Sequence, residues 1–154
     1  MNLKHLAISG FALLLVLNVI GVKAFAQAGG GQPKAPGVEF ITAEELKRKI
    51  SKNERITVID VRSSSAFSYS EDKIKGAIRV KLRKLKSRLA VPPLKNVPHA
   101  SEVVTYCACP SDEASIRAAQ ILSESGFKRV RALKNGWTGW LQAKGQLEPR
   151  PRIR

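Results

Sequence analysis

The chain is short of metal ligands. Its only cysteines are Cys107 and Cys109, and its only histidines are His5 and His99. A zinc site usually takes four such ligands, so no metal centre is expected, and His99 reads as an ordinary loop residue. Acid is scarce too: 12 Asp and Glu stand against 27 Lys and Arg, a formal charge of +15. That excess favours anionic lipid headgroups, polyanions or acidic proteins. Much of it is scattered among Glu and Asp, apart from Lys81–Arg88 and the tail Arg150–Arg154. No internal repeat is present.

What is there begins with a basic start, Met1–His5, and a stretch without charge from Leu6 to Val22. Small residues follow at Ala24, Ala26 and Ala28. This order reads as a secretory signal peptide over residues 1–28, cleaved after about Ala26 or Ala28. The rival is an uncleaved anchor, since the run reaches the lower limit for spanning a bilayer. Its exit carries no cysteine for a lipid. Either way the mature chain is expected outside a cytoplasmic membrane, in the periplasm or beyond, which argues against nucleic acid as its partner. Residues 29–37 form a Gly/Pro linker. Residues 38–148 suffice for one domain with one core, expected as a monomer, and residues 149–154 form a basic tail.

Within the domain, Thr42 and Glu45 have the spacing of a capping box, and Leu46 and Ile50 give the helix an apolar face. Ile56–Asp60 is a β-branched run suited to a strand buried on both faces. A loop and short helix follow, then Gly76 and a small strand, Ala77–Val80. Lys81–Ala90 predicts a basic helix with Leu82, Leu85 and Leu89 on one side, stopped by Pro92 and Pro93. Val103–Tyr106 is a third strand and runs straight into Cys107. A helix is expected from about Ser111 to Ser125, striped by Ala114, Ala118, Ile121 and Leu122 and closed by Gly126. Val130–Leu133 is a last strand, and Asn135–Gly145 a turn into a short helix. Strands alternating with helices imply a parallel sheet covered on both faces. Ligands of such sheets bind beyond the carboxyl ends of the strands, where Cys107 falls.

Five segments in order carry a likeness: Asp60-Val61-Arg62 after a strand, Lys73-Ile74-Lys75-Gly76-Ala77, Cys107 after Val-Val-Thr-Tyr, Arg117-Ala118-Ala119 leading to Gly126-Phe127, and Asn135–Trp140. Together they resemble the rhodanese-like domain over essentially the whole folded region. The resemblance implies a three-layer α/β domain with a central, mainly parallel sheet of about five short strands. It also implies a sulfurtransferase without a cofactor, in which Cys107 carries sulfane sulfur as a persulfide. The donor is then a small sulfur compound or a protein thiol, and the amides of residues 108 to 114 cradle the persulfide.

The loop departs from the family's six-residue Cys-Arg-x-Gly-x-Arg pattern. If Ser115 closes it, the loop comprises Cys107, Ala108, Cys109, Pro110, Ser111, Asp112, Glu113 and Ala114, two residues longer and without arginine. The family's His before Ile-Pro-Gly is Lys73, and its Pro is Lys75. If Ser111 caps the following helix, Asp112 and Glu113 fall in its first turn, where acid is stabilising. They either serve capping alone, pointing into solvent, or raise the Cys107 pKa and repel an anionic donor. Arg62 and Arg117 are the candidates to restore positive charge at the mouth. Asp60 and Arg62 read first as ties between loops, Gly76, Gly136 and Gly139 as holders of special backbone angles, and Trp137 and Trp140 as packing.

A Cys107–Cys109 bridge closes so few residues that it is a poor staple, below about 2 kcal/mol by loop entropy, and easily reduced bridges suit redox chemistry. Cys109 is therefore a resolving thiol or a small residue shaping the loop. Two other functions stay open beside sulfur transfer: a thiol–disulfide redox protein, and a non-catalytic module whose basic surface holds an acidic protein or an anionic membrane.

Overall fold

The computed structural model describes residues 37–151; the expected leader, most of the linker and the last three tail residues lie outside them. In chain order the elements are β1 (Glu39–Ile41), α1 (Ala43–Ser51), β2 (Ile56–Asp60), α2 (Ser64–Tyr69), β3 (Asp72–Ile74), β4 (Ile78–Arg79), α3 (Leu85–Arg88), β5 (Glu102–Tyr106), α4 (Glu113–Glu124), β6 (Arg129–Leu133), α5 (Gly136–Gln142) and β7 (Leu147–Pro149). Single 3₁₀ turns precede α3 and β5. Among the described residues no helix is long and apolar enough to cross a membrane.

Five strands form one parallel sheet in the order β1-β6-β5-β2-β4. The side-chain period of two splits its residues between two cores. Val58, Val104, Tyr106 and Leu133 pack with Leu46 of α1 and Trp140 of α5. Ile59, Val103 and Cys107 pack with Leu85 of α3 and with Ala118 and Leu122 of α4. The expected three-layer α/β architecture is the observed one. β5 lies at the centre, all five of its residues buried, so its carboxyl end is held from both sides.

Local signals were followed unevenly. Thr42 caps α1, its hydroxyl accepting the Glu45 N–H at 3.1 Å. The Glu45 carboxylate does not close the box; it accepts from Arg131 Nη1 at 2.8 Å instead. The helix expected over Lys81–Ala90 shrinks to a 3₁₀ turn and the four residues of α3. Its cations meet one another at i+3 and i+4 with no acid between them, which weakens a helix. What survives is the turn that buries Leu85.

Three strands were not anticipated, β1 among them. β3 and β7 pair antiparallel, with Lys73 opposite Glu148, and Lys73 Nζ donates to both Glu148 and the Ala77 carbonyl. Pro149, expected to open the tail, belongs to β7, and Arg150 donates to the carbonyls of Ser68 and Ser70.

Candidate active site

Asp60 and Tyr106 end β2 and β5 and lie opposite one another in the register. The turns that follow them face the same end of the sheet. In the first, the Asp60 carboxylate accepts from Arg62 N, Nε and Nη2 at 2.7 to 3.1 Å and from the Tyr106 hydroxyl at 2.8 Å. Burial, and then the Asp60 charge, hold the Tyr106 phenol well above its usual pKa, so it stays a donor. Arg62 is 1% exposed, donates also to the Asp72 carbonyl, and lies 4.2 Å beneath the Trp137 ring. It is a tie between elements, as Asp60 is.

The second turn carries both cysteines. Cys107, 1% exposed, leaves the end of β5 with its side chain among Leu85, Ala118 and Leu122, and is disulfide-bonded to the half-buried Cys109. Cys109 N–H points at Cys107 Sγ from 3.5 Å. Ser115 Oγ is 3.9 Å from the same sulfur, but its one proton goes to the Asp112 carbonyl at 2.7 Å. Of the amides expected to cradle sulfur, that of Asp112 is spent on the Cys109 carbonyl at 3.2 Å, and Pro110 has none. Ala108, Pro110 and Ser111 are exposed, and Ala114 is half-buried at the start of α4.

The cap of α4 differs from expectation. Ser111 does not cap it; Asp112 occupies that position in the left-handed region, φ 54° and ψ 14°, and its side chain caps nothing. Nor does Asp112 point into solvent. It is fully buried, with Oδ2 accepting the Asn135 N–H at 2.8 Å and Oδ1 without a partner. Burial raises its pKa, offset in part by that N–H. The backbone asks for this inversion: a left-handed residue ends the cysteine turn, and Asp tolerates that region better than most. Only Glu113 lies in the first turn of α4, and it is exposed.

The turn before α5 clamps the loop from above. Trp137 N–H donates to the Cys107 carbonyl at 2.7 Å, and a Cβ on Gly136, φ +40°, would stand 2.2 Å from that oxygen. Gly139, expected at a special angle, lies within helix α5 without positive φ; there a Cβ would meet the Lys134 carbonyl at 2.9 Å. Trp140 is buried, and Trp137 stacks at 6.2 Å on Tyr106.

A depression of about 300 Å³ opens beside the disulfide, lined by Ala108, Cys109, Pro110, Asn135, Thr138 and Gln142. No Lys or Arg lines it. Arg62 lies beneath Trp137, and the exposed Arg117 reaches along α4 toward Gln120, Nη1 to Oε1 at 3.5 Å. The residues that sequence reasoning missed are Asn135, Thr138 and Gln142; their segment was legible only as a turn and helix.

A family model described as the rhodanese-like domain matches residues 42–143. A curated protein of Bacillus subtilis (strain 168), "Putative sulfur carrier protein YrkF", is 25% identical over 121 residues, 77% of this chain and 60% of its own length. This chain thus spans less than two thirds of that relative. Among solved structures, the BH2092 protein of Bacillus halodurans is 28% identical with a TM-score of 0.61, covering 72% of this chain and 77% of that one. The Alr3790 protein of Anabaena sp. is 27% identical with a TM-score of 0.60, covering 71% and 82%. With its parallel sheet in this order and a cysteine at the end of the central strand, the chain belongs to the rhodanese-like domain family.

Proposed function

We propose that this protein is a sulfurtransferase-type sulfur carrier, acting outside a cytoplasmic membrane, in which Cys107 accepts sulfane sulfur as a persulfide and yields it to a thiol. The observation that carries this reading is the position of Cys107. It stands at the carboxyl end of the central strand, at the base of a loop that enters the N-terminus of a three-turn helix. Cys109 N–H and the α4 dipole both favour a thiolate there. The family match and the sulfur-carrier description of the Bacillus subtilis relative support the same chemistry.

The bridge seen between Cys107 and Cys109 must open before Cys107 can take sulfur. The depression beside the site is lined without Lys or Arg, so it suits a neutral donor or acceptor, or a protein thiol, better than a thiosulfate dianion. Export rests on the sequence of residues 1–28; recovery of the chain in the cytoplasmic fraction of lysed cells would remove it.

Intact mass is the direct test. The reduced Cys109→Ser protein, offered sulfane-sulfur donors, gains the mass of one sulfur atom, and the Cys107→Ser protein does not. If no donor adds sulfur at Cys107, the carrier reading fails.

A further inference from the structure

We propose that Cys109 resolves the Cys107 persulfide within the same molecule, so that the protein releases sulfide reductively instead of only handing sulfane sulfur to an outside acceptor. This inference rests on the carrier reading above. Three observations lead to it.

The first is the bond itself. Cys107 and Cys109 are joined with their Cα atoms 5.7 Å apart, inside the ordinary range for a disulfide. The loop therefore accommodates Cys109 Sγ within bonding distance of Cys107 Sγ. In a persulfide, Cys107 Sγ is the inner sulfur. Attack there by Cys109 displaces the outer sulfur as hydrosulfide, whereas attack on the outer atom would only move the persulfide along.

The second is access. Cys107 is 1% exposed, while the half-buried Cys109 lines the depression. An outside thiol entering there meets Cys109 first. A thiol fixed two residues away acts at an effective concentration of about millimolar or more, far above micromolar external thiol.

The third is the loop. Asp112 N–H holds the Cys109 carbonyl, and Cys109 N–H faces Cys107 Sγ, so the turn presents one cysteine to the other.

The step balances. Cys107–S–S⁻ and Cys109–SH give the Cys107–Cys109 disulfide and HS⁻. The sulfane sulfur takes two electrons, two cysteine sulfurs give them up, and the Cys109 proton leaves with the sulfide. A dithiol reductant entering at Cys109 Sγ then reopens the bridge, is itself oxidised to a disulfide, and returns Cys107 as a thiolate for the next donor.

The test uses the reduced mature protein without oxygen, with stoichiometric glutathione persulfide as the probe. Sulfide is followed by electrode, and the protein by intact mass after acid quench. The wild type should release sulfide promptly and end two hydrogens lighter than its reduced form, with no added sulfur. Cys109→Ser and Cys109→Ala should instead keep the extra sulfur on Cys107 and release sulfide on the order of a hundredfold more slowly. If the wild type keeps its added sulfur as long as those variants do, the inference is overturned and the carrier reading stands. If neither the wild type nor the variants gain sulfur at Cys107, the carrier reading falls and takes this inference with it. The bridged product is read on the wild type directly, so the outcome does not depend on how a variant folds.

Discussion

Two turns leave the same end of the sheet from neighbouring strands, and they treat their acids differently. After β2, Asp60 receives hydrogen bonds from Arg62 and Tyr106 with a second guanidinium, that of Arg79, at 3.6 Å. After β5, Asp112 is equally buried yet receives one backbone N–H and leaves Oδ1 unpartnered. A buried charge with several donors holds its surroundings in one arrangement. One with a single donor is costly to keep ionised. The first turn is the frame of the site. The second is where this chain departs from its family's basic loop, and it carries the cysteines.

Breaking the frame should have the largest effect. Asp60→Ala leaves the Arg62 guanidinium buried without its carboxylate, a loss of about 3–5 kcal/mol that urea denaturation would record. A cost below about 1 kcal/mol would mean that the β2 turn is no more rigid than the β5 loop.

Trp137, over Arg62 and bonded to the Cys107 carbonyl, joins the two turns, and replacing Gly136 before it sharpens the contrast. Gly136→Ala carries positive-φ strain of about 1–3 kcal/mol, and its Cβ drives into the Cys107 carbonyl. Thermal unfolding should fall, and sulfur uptake by the reduced protein should slow. Gly76→Ala is the control, because nothing lies within 4 Å of its Cβ. It should lose only the φ term and leave uptake unchanged. Equal effects at the two glycines would remove the clamp from the account.

The smallest effect tests Asp112 itself. Burial raises its pKa in the folded state, so the folded protein keeps a proton that the unfolded chain releases just above the ordinary Asp value. The stability this contributes is complete below that value and is lost as pH rises through the folded one. Asp112→Asn, which cannot ionise, should flatten this decline in urea midpoints taken from acidic to neutral pH. An unchanged pH slope would show that burial does not raise the Asp112 pKa on folding.

Much of the fold was legible in the sequence because its signals are local. β-branched runs marked β2 and β5, Thr42 marked the start of α1, and Gly126 the end of α4. β3 and β7 escaped because each is three residues long, and their pairing joins segments more than seventy positions apart. The basic helix was overread, since leucine spacing reports a possible face and not whether like charges allow the turns between. The place of Cys107 was legible, because a cysteine at the end of an apolar strand and before a helix is a positional signal. The α4 cap was misassigned by one residue, Ser111 for Asp112, because the left-handed backbone at the cap is imposed by the cysteine turn behind it.

By itself the sequence determined the alternation that makes a parallel sheet, the central strand, and the cysteine at its carboxyl end. Periodicity and chain order carry that information without any distant contact. The tertiary structure alone decided that Arg62 is a buried tie, that Arg117 reaches along α4, and that Asp112 turns inward. It also decided that Cys109, and not Cys107, meets the depression. Each of those depends on what another segment places beside the residue: Trp137 over Arg62, Asn135 at Asp112, and Thr138 and Gln142 across from Cys109. Burial and access are properties of two surfaces meeting, and no single stretch of chain contains both.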